Sequence, residues 1–218
     1  MTFEDPGTDR RRFLRILLAA PLVFAAGFKL EWAGEAAAAE ALLVDTAAGR
    51  GRALKPTPDC GDDDEPTPAE TEGPFFKPRS PRRTSLLEPG LAGERIVLEG
   101  RVFSRGCHAI GGALLDFWHA DHEGEYDNAG FRLRGHQFAD DEGRYRLETI
   151  VPGVYGGRTR QIHVKLQAPA GRVLTTQLYF PGEPRNRRDG LFRSDLLMAL
   201  RDGADARQAR FDFVLDVS

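Results

Sequence analysis

An all-β fold, a β-sandwich, is what this sequence predicts, and three observations predict it. Apolar residues recur at every second position in several separate runs, turn signals built on Gly and Pro divide those runs, and only one stretch beyond the amino terminus begins like a helix. Period-two texture begins at about Arg95. Tyr145, Leu147 and Thr149 alternate with Arg144, Arg146 and Glu148; Leu174, Thr176, Leu178 and Phe180 alternate with Thr175, Gln177 and Tyr179; Phe211, Phe213, Leu215 and Val217 alternate with Asp212 and Asp216. Between the runs stand Arg105-Gly106, Gly111-Gly112, Asp141-Glu142-Gly143, Pro152-Gly153, Pro169-Ala170-Gly171 and Pro181-Gly182. The helical stretch is Ser194 to about Leu200, with Ser194 as cap and Asp195 as first-turn acid. Short strands at regular spacing pack as two sheets face to face.

The amino terminus has a different texture. Asp9-Arg10-Arg11-Arg12-Phe13-Leu14-Arg15, followed by an apolar run to about Phe28, reads as a twin-arginine export signal, with small residues Ala36 to Ala39 as a cleavage region. The apolar run is shorter than the ~20 residues a membrane span needs, so no stable span is expected in the mature chain. Residues 1–39 are thus assigned to the signal, 40–68 to an acidic, Pro-rich arm, and 69–218 to the sandwich, with a periplasmic or extracellular destination. After removal of the signal about 180 of the 218 residues remain, enough for one domain with a core.

A net charge of -3, with no basic stripe, excludes a nucleic-acid surface. The two cysteines, Cys60 and Cys107, are too far apart for a Cys-x-x-Cys redox or zinc pair. In an oxidising compartment a Cys60–Cys107 disulfide tying the arm to the first hairpin is expected, the alternative being two unpaired thiols.

Three segments carry chemistry: Trp118-His119-Ala120-Asp121 leading to Gly124-Glu125-Tyr126, then Pro152-Gly153-Val154-Tyr155, then Arg158-Thr159-Arg160-Gln161-Ile162-His163. Tyrosine is an uncommon metal ligand because its phenol, with a pKa near ~10, must ionise to bind, yet a bound cation can force that ionisation. Two phenolates suit a hard, oxidised metal, and ferric iron is the candidate. In the run Gln161 to Leu166, alternation sends Ile162, Val164 and Leu166 to the core and Gln161, His163 and Lys165 to the other face. An i, i+2 pair can then offer two ligands to one ion.

These motifs, together with Thr71-Glu72-Gly73-Pro74-Phe75, resemble the intradiol ring-cleavage dioxygenases over roughly Thr67 to Phe180. The resemblance implies the same sandwich, a non-haem Fe(III) cofactor, and cleavage of a catecholic ring by O2 to a muconate-type product. It implies Tyr126, Tyr155, Gln161 and His163 as metal ligands and Arg158 as the active-site arginine. Tyr155 would be the ligand that leaves the metal and takes a proton from substrate. Gly73, Pro74 and Phe75 would border the substrate pocket. Apart from the resemblance, Arg134-Gly135 reads as a turn supporting the tyrosine loop, and His136 and Gln137, which follow it, are expected to border the same pocket. One position departs from the family pattern, which has histidine where this chain has Gln161. The partners implied are a small catecholic substrate and O2, with homodimerisation left open.

Two other readings follow from the residues. His119-Ala120-Asp121 with His163 fits the facial triad of ferrous 2-oxoglutarate oxygenases. Gln161 also fits a non-catalytic exported sandwich that binds an aromatic ligand or a surface partner.

Overall fold

The computed structural model describes residues 65–217. The signal expected over 1–39, most of the arm expected over 40–68, and the Cys60 half of the expected disulfide lie outside these residues.

The described residues form nine strands in chain order: β1 (Arg95–Ser104), β2 (Leu114–Trp118), β3 (Arg134–Phe138), β4 (Arg144–Ile150), β5 (Gln161–Gln167), β6 (Val173–Tyr179), β7 (Ala199–Arg201), β8 (Arg207–Arg210) and β9 (Phe213–Leu215). One sheet has the order β4-β1-β8-β7, with β9 also paired to β1; the other has the order β3-β2-β5-β6. Long β1 is antiparallel to β4 and parallel first to β8 at Ile96–Glu99 and then to β9 at Val102–Ser104. Gly100 makes this change of partner feasible, since a Cβ there would lie 1.7 Å from the carbonyl oxygen of Phe211, where the chain passes from β8 to β9.

Period-two alternation decides which side chains meet between the sheets. Ile96, Leu98 and Val102 of β1, Leu147 of β4 and Phe213 of β9 form one core with Leu115, Phe117, Ile162, Val164, Leu166 and Leu178 of the other sheet. Each fully buried aliphatic or aromatic side chain contributes roughly 2 kcal/mol. The outward face of the second sheet therefore carries Trp118, Gln161, His163, Lys165, Gln177 and Tyr179, as the pairings His163↔Trp118, His163↔Gln177 and Gln161↔Tyr179 require.

That face is covered by a strap made of residues 65–86. Thr67 is held to Val214 of β9 by two hydrogen bonds of 2.8 Å. The strap then runs past the edge of β6, where the Glu70 amide donates to the Thr175 carbonyl at 2.8 Å. Glu72 pairs with Lys165, Phe76 packs edge-on against Trp118, and Ser80 donates to Asp116 at 2.7 Å. Beyond this crossing the Leu86 amide reaches the Glu148 carbonyl of the first sheet at 2.8 Å.

Two local expectations change. The helix expected from Ser194 is a single 3-10 turn, Ser194–Leu196, without a side-chain cap. Leu196 and Met198 are both buried, and the Met198 amide donates to the Tyr179 carbonyl at 3.0 Å, so the segment is drawn into sheet pairing instead. Arg134-Gly135, expected as a turn, opens β3. Glycine is needed at 135 because a Cβ would approach Arg83 and Leu86 of the strap to 2.8 Å.

Candidate metal centre

Two loops and one strand meet beneath the strap. The first loop leaves β2 and carries Tyr126; the second leaves β4 through Pro152-Gly153 and carries Tyr155. They are joined backbone to backbone, for the Asp121 carbonyl accepts from the Gly124 amide at 3.1 Å and from the Gly153 amide at 2.6 Å. Asp127 folds the rest of the first loop by accepting from the amides of Ala129, Gly130 and Arg132. From below, the buried Arg134 guanidinium donates to the carbonyls of Asp127 and Phe75, and from the strap Lys77 donates to the carbonyls of Asn128, Ala129 and Gly130. Two cations thus fasten the Tyr126 loop to the strap. Phe75 is thereby stacked on Tyr126, with ring centroids 4.2 Å apart and planes 11° from parallel.

The third element is β5. His163 stacks on Trp118 at 5.0 Å, which points its Nε2 toward the Tyr126 hydroxyl, 3.2 Å away. The Gln161 amide nitrogen is 3.4 Å from the same Nε2. Gln161 Oε1 is buried without a partner among the described residues, as is His163 Nδ1. Rotating the Gln161 amide by half a turn exchanges its oxygen and nitrogen and would bring the oxygen to the His163 side. Tyr155 is the outermost member, 38% exposed, with its ring edge-on to Tyr126 at 5.5 Å and to Phe75 at 4.9 Å.

Burial sets the electrostatics. It pushes the Tyr126 phenol up to about 12, against the opposing pull of the Arg158 charge. Burial, and then the same Arg158 charge, lowers His163 to about 3, so its imidazole is neutral at physiological pH. A neutral imidazole has a lone pair for a cation, whereas a buried phenol with a raised pKa ionises only if a cation is beside it. The donor atoms fit ferric iron: phenol oxygens from Tyr126 and Tyr155, His163 Nε2, and an amide oxygen from Gln161 that lacks any other partner among the described residues.

Arg158 lies immediately before β5. Its Nε donates to Asp189 Oδ2 at 2.9 Å and its Nη2 to Gln177 Oε1 at 2.7 Å and Tyr179 Oη at 3.3 Å. Arg160, two residues on, pairs with Glu183 and donates to the Pro152 carbonyl, outside this network. The Gln177 amide nitrogen donates to the Thr71 carbonyl at 2.7 Å, so the arginine network extends into the strap. Gly73 is close to the imidazole, since a Cβ there would lie 3.6 Å from His163 Cε1.

Several sequence candidates are engaged elsewhere. His136, expected at the pocket border, is held through Nδ1 by the Ser80 carbonyl at 2.7 Å, and Gln137 turns from that face to accept the Arg146 amide. Alternation along β3 places these neighbours on opposite faces, so they cannot line one pocket together. His119 does not serve a facial triad, because Nδ1 meets the Ala120 carbonyl and Nε2 meets Thr149 Oγ1, both at 2.7 Å. Asp121 accepts from the amides of Glu123 and Glu125 and pairs with Arg132. Sequence reasoning missed Gln177, Tyr179 and Asp189. The first two were findable, as they alternate onto one face of their strand.

The chain matches the family model described as Dioxygenase over residues 71–217. It is 32% identical over 163 residues to catechol 1,2-dioxygenase 2 of Acinetobacter lwoffii, covering 63% of this chain and 57% of the relative. It is 34% identical over 143 residues to the protocatechuate 3,4-dioxygenase beta chain of Burkholderia cepacia, covering 57% of this chain and 60% of that one. The chain thus spans less than two thirds of the length of these curated relatives. Among solved structures, the dioxygenase domain of a dioxygenase carbohydrate-binding protein fusion from Streptomyces sp. SirexAA-E is 56% identical with a TM-score of 0.69, covering 71% of this chain and 100% of that domain. Catechol 1,2-dioxygenase from Pseudomonas arvilla C-1 is 28% identical with a TM-score of 0.65, over 70% of this chain and 63% of that one. With two sheets of the same architecture and tyrosines, histidine and arginine gathered under the strap, the chain belongs to the intradiol ring-cleavage dioxygenases.

Proposed function

We propose that the protein opens a catecholic ring between its two hydroxyl-bearing carbons, adding both atoms of O2 to give a muconate-type dicarboxylic acid. The observation that carries this reading is the 3.2 Å approach of the Tyr126 hydroxyl to His163 Nε2, beside unpartnered Gln161 Oε1 and the Arg158 guanidinium. Tyr126, Tyr155, His163 and Gln161 are the residues that would hold Fe(III). When bound, the ion would act as a Lewis acid on a deprotonated catechol and leave the ring open to attack by O2.

The chain's own residues do the rest. Tyr155, the exposed phenol, would be a phenolate while it held the ion, and is placed to give way to substrate and take one catechol proton on that Oη. Arg158 supplies positive charge where negative charge develops on the ring oxygens. Phe75 covers one face of Tyr126 and, with Trp118 behind His163, keeps water from the buried ligands. Gln161 replaces an imidazole by a neutral oxygen donor, which keeps the site hard but holds the ion less firmly. Homologues named for catechol and protocatechuate support a small catecholic substrate. The twin-arginine segment at Arg10-Arg11-Arg12 supports export in the folded state, to the periplasm or beyond.

The test is metal analysis and a visible spectrum of the purified protein, followed by catechol under O2. Stoichiometric iron, a tyrosinate charge-transfer band that changes with catechol, and formation of a muconate are the expected results. A colourless protein without iron that still binds catechol would favour the non-catalytic alternative.

A further inference from the structure

Arg158 is held more completely than charge alone requires. Asp189, whose side chain is 3% exposed, arrives from a turn 31 residues further along the chain. Its Oδ2 accepts from Arg158 Nε at 2.9 Å and from the Thr159 amide at 2.8 Å, while its Oδ1 accepts from the Leu191 amide at 3.0 Å. Burial pushes this carboxyl up, but the amides of Thr159 and Leu191 together with Arg158 outweigh it and keep the group below the usual carboxylate range. Beside Nε on the same edge of the guanidinium, Nη2 meets Gln177 Oε1 and Tyr179 Oη. Gln177 cannot turn its amide without losing the Thr71 carbonyl, and Tyr179 Oη is itself fixed by the Leu191 carbonyl at 2.9 Å. Nε and Nη2 are therefore committed, and Nη1 is the guanidinium nitrogen with no hydrogen bond to the described residues. The charge of the same group reaches both Tyr126 and His163.

We propose that Asp189 is a positioning residue for Arg158, fixing the guanidinium by its Nε edge so that Nη1 is presented to a catecholate oxygen lying against Tyr126 and His163. This rests on the ring-cleavage reading above. A planar fork locked along one edge offers the other in a set direction, which a bare ammonium cannot do. Pre-aimed donors lower a barrier because they need no reorientation as charge develops. The staple from Asp189 to Thr159 and Leu191 also fixes the turn, so a purely structural role must be separated from an aiming role.

The experiment uses the full chain loaded with iron and compares wild type, Asp189→Asn, Arg158→Ala and the double variant, with catechol and O2 as substrates. Asp189→Asn keeps an acceptor oxygen for the turn while losing the charged partner of Nε. It is expected to retain iron content, tyrosinate band and melting temperature, to lose about tenfold to thirtyfold in kcat, and to change KM by less than about threefold. In the Arg158→Ala background the same substitution is expected to lower kcat by less than about twofold, because the group it aims is gone. Bound 4-nitrocatechol, whose colour responds to charge near its oxygens, is expected to shift its absorption maximum in Asp189→Asn and not between Arg158→Ala and the double variant. Equal losses in both backgrounds, an unchanged kcat, or a fall that tracks lost iron or lost stability overturns the proposal. Arg158→Lys provides a second test that leaves Asp189 untouched: it is expected to be as slow as Arg158→Ala, and wild-type activity in that variant overturns the aiming role. Wild type without colour or turnover defeats the ring-cleavage reading itself and this inference with it, whereas an active wild type matched by Asp189→Asn defeats the inference alone.

Discussion

Gly124 and Gly153 meet without side chains between them: a Cβ on Gly153 would lie 2.3 Å from the Gly124 nitrogen, and one on Gly124 would lie 2.2 Å from the Val154 carbonyl oxygen. Gly124 also has a φ of +94°, in the region glycine tolerates best. This contact sets the spacing between the Tyr126 and Tyr155 loops. Gly153→Ala is therefore expected to force the loops apart, with iron content falling to less than about a fifth of wild type while far-ultraviolet circular dichroism is retained. Retention of full iron in the alanine variant would show that the loops are spaced by something else.

The two tyrosines differ in burial, and their variants should differ too. Tyr126→Phe removes the phenol nearest His163 Nε2 and is expected to abolish the visible band and leave about a tenth or less of the iron. Tyr155→Phe removes the exposed phenol and is expected to keep more iron, with a displaced band and a kcat lower by about a hundredfold. Metal analysis and absorption spectra of the two purified variants decide the order.

Gln161→His should tighten the site. The replacement puts an imidazole where the unpartnered amide oxygen now sits, and iron retention against a chelator is expected to rise about tenfold or more. Equal retention by the two proteins would remove Gln161 from the ligand set.

His119 predicts an acid limb in the stability curve. Burial lowers its pKa to about 4 from an ordinary 6.5, so between these values the unfolded chain takes up a proton that the fold refuses. The folded pKa is the depressed one, hence the contribution is complete above about pH 6.5 and disappears as pH falls toward 4. Its size is on the order of 3 kcal/mol. Urea unfolding of wild type and His119→Asn at intervals from pH 4 to 7 should show a shallower slope for the variant.

Arg134 should be worth more to stability than an ordinary surface arginine. Arg134→Met strips the partners from the Asp127 and Phe75 carbonyls inside the protein and is expected to cost about 2–4 kcal/mol in urea unfolding. Fluorescence should report loosened packing around Trp118, because Phe76 of the same strap rests on it.

Local periodicity made much of this architecture legible. Alternation correctly sent Ile162, Val164 and Leu166 inward and left Gln161 and His163 facing outward, and the Gly and Pro signals divided the strands. What the pattern could not show was partner choice over long separations. Ser194 followed by Asp195 satisfies local helix rules, yet pairing of Met198 with Tyr179 wins, because a tertiary hydrogen bond and buried Leu196 outweigh weak helix propensity. His136 and Gln137 are expected at the pocket border because they follow Arg134-Gly135, but that pair opens a strand, and a strand sends neighbours to opposite faces. Asp189 had no local signature at all. Its importance comes from Arg158, which only folding brings to it.

The strap enters the fold through Thr67, whose partner Val214 lies 147 residues further along the chain. Phe75, Lys77 and the Thr71 carbonyl all belong to that same strip, so peeling its first residues from β9 loosens the lid on Tyr126 and the brace on Gln177 together. An ion held by Tyr126 and His163 would thereby be coupled, through this one strip, to the register of a strand far along the chain.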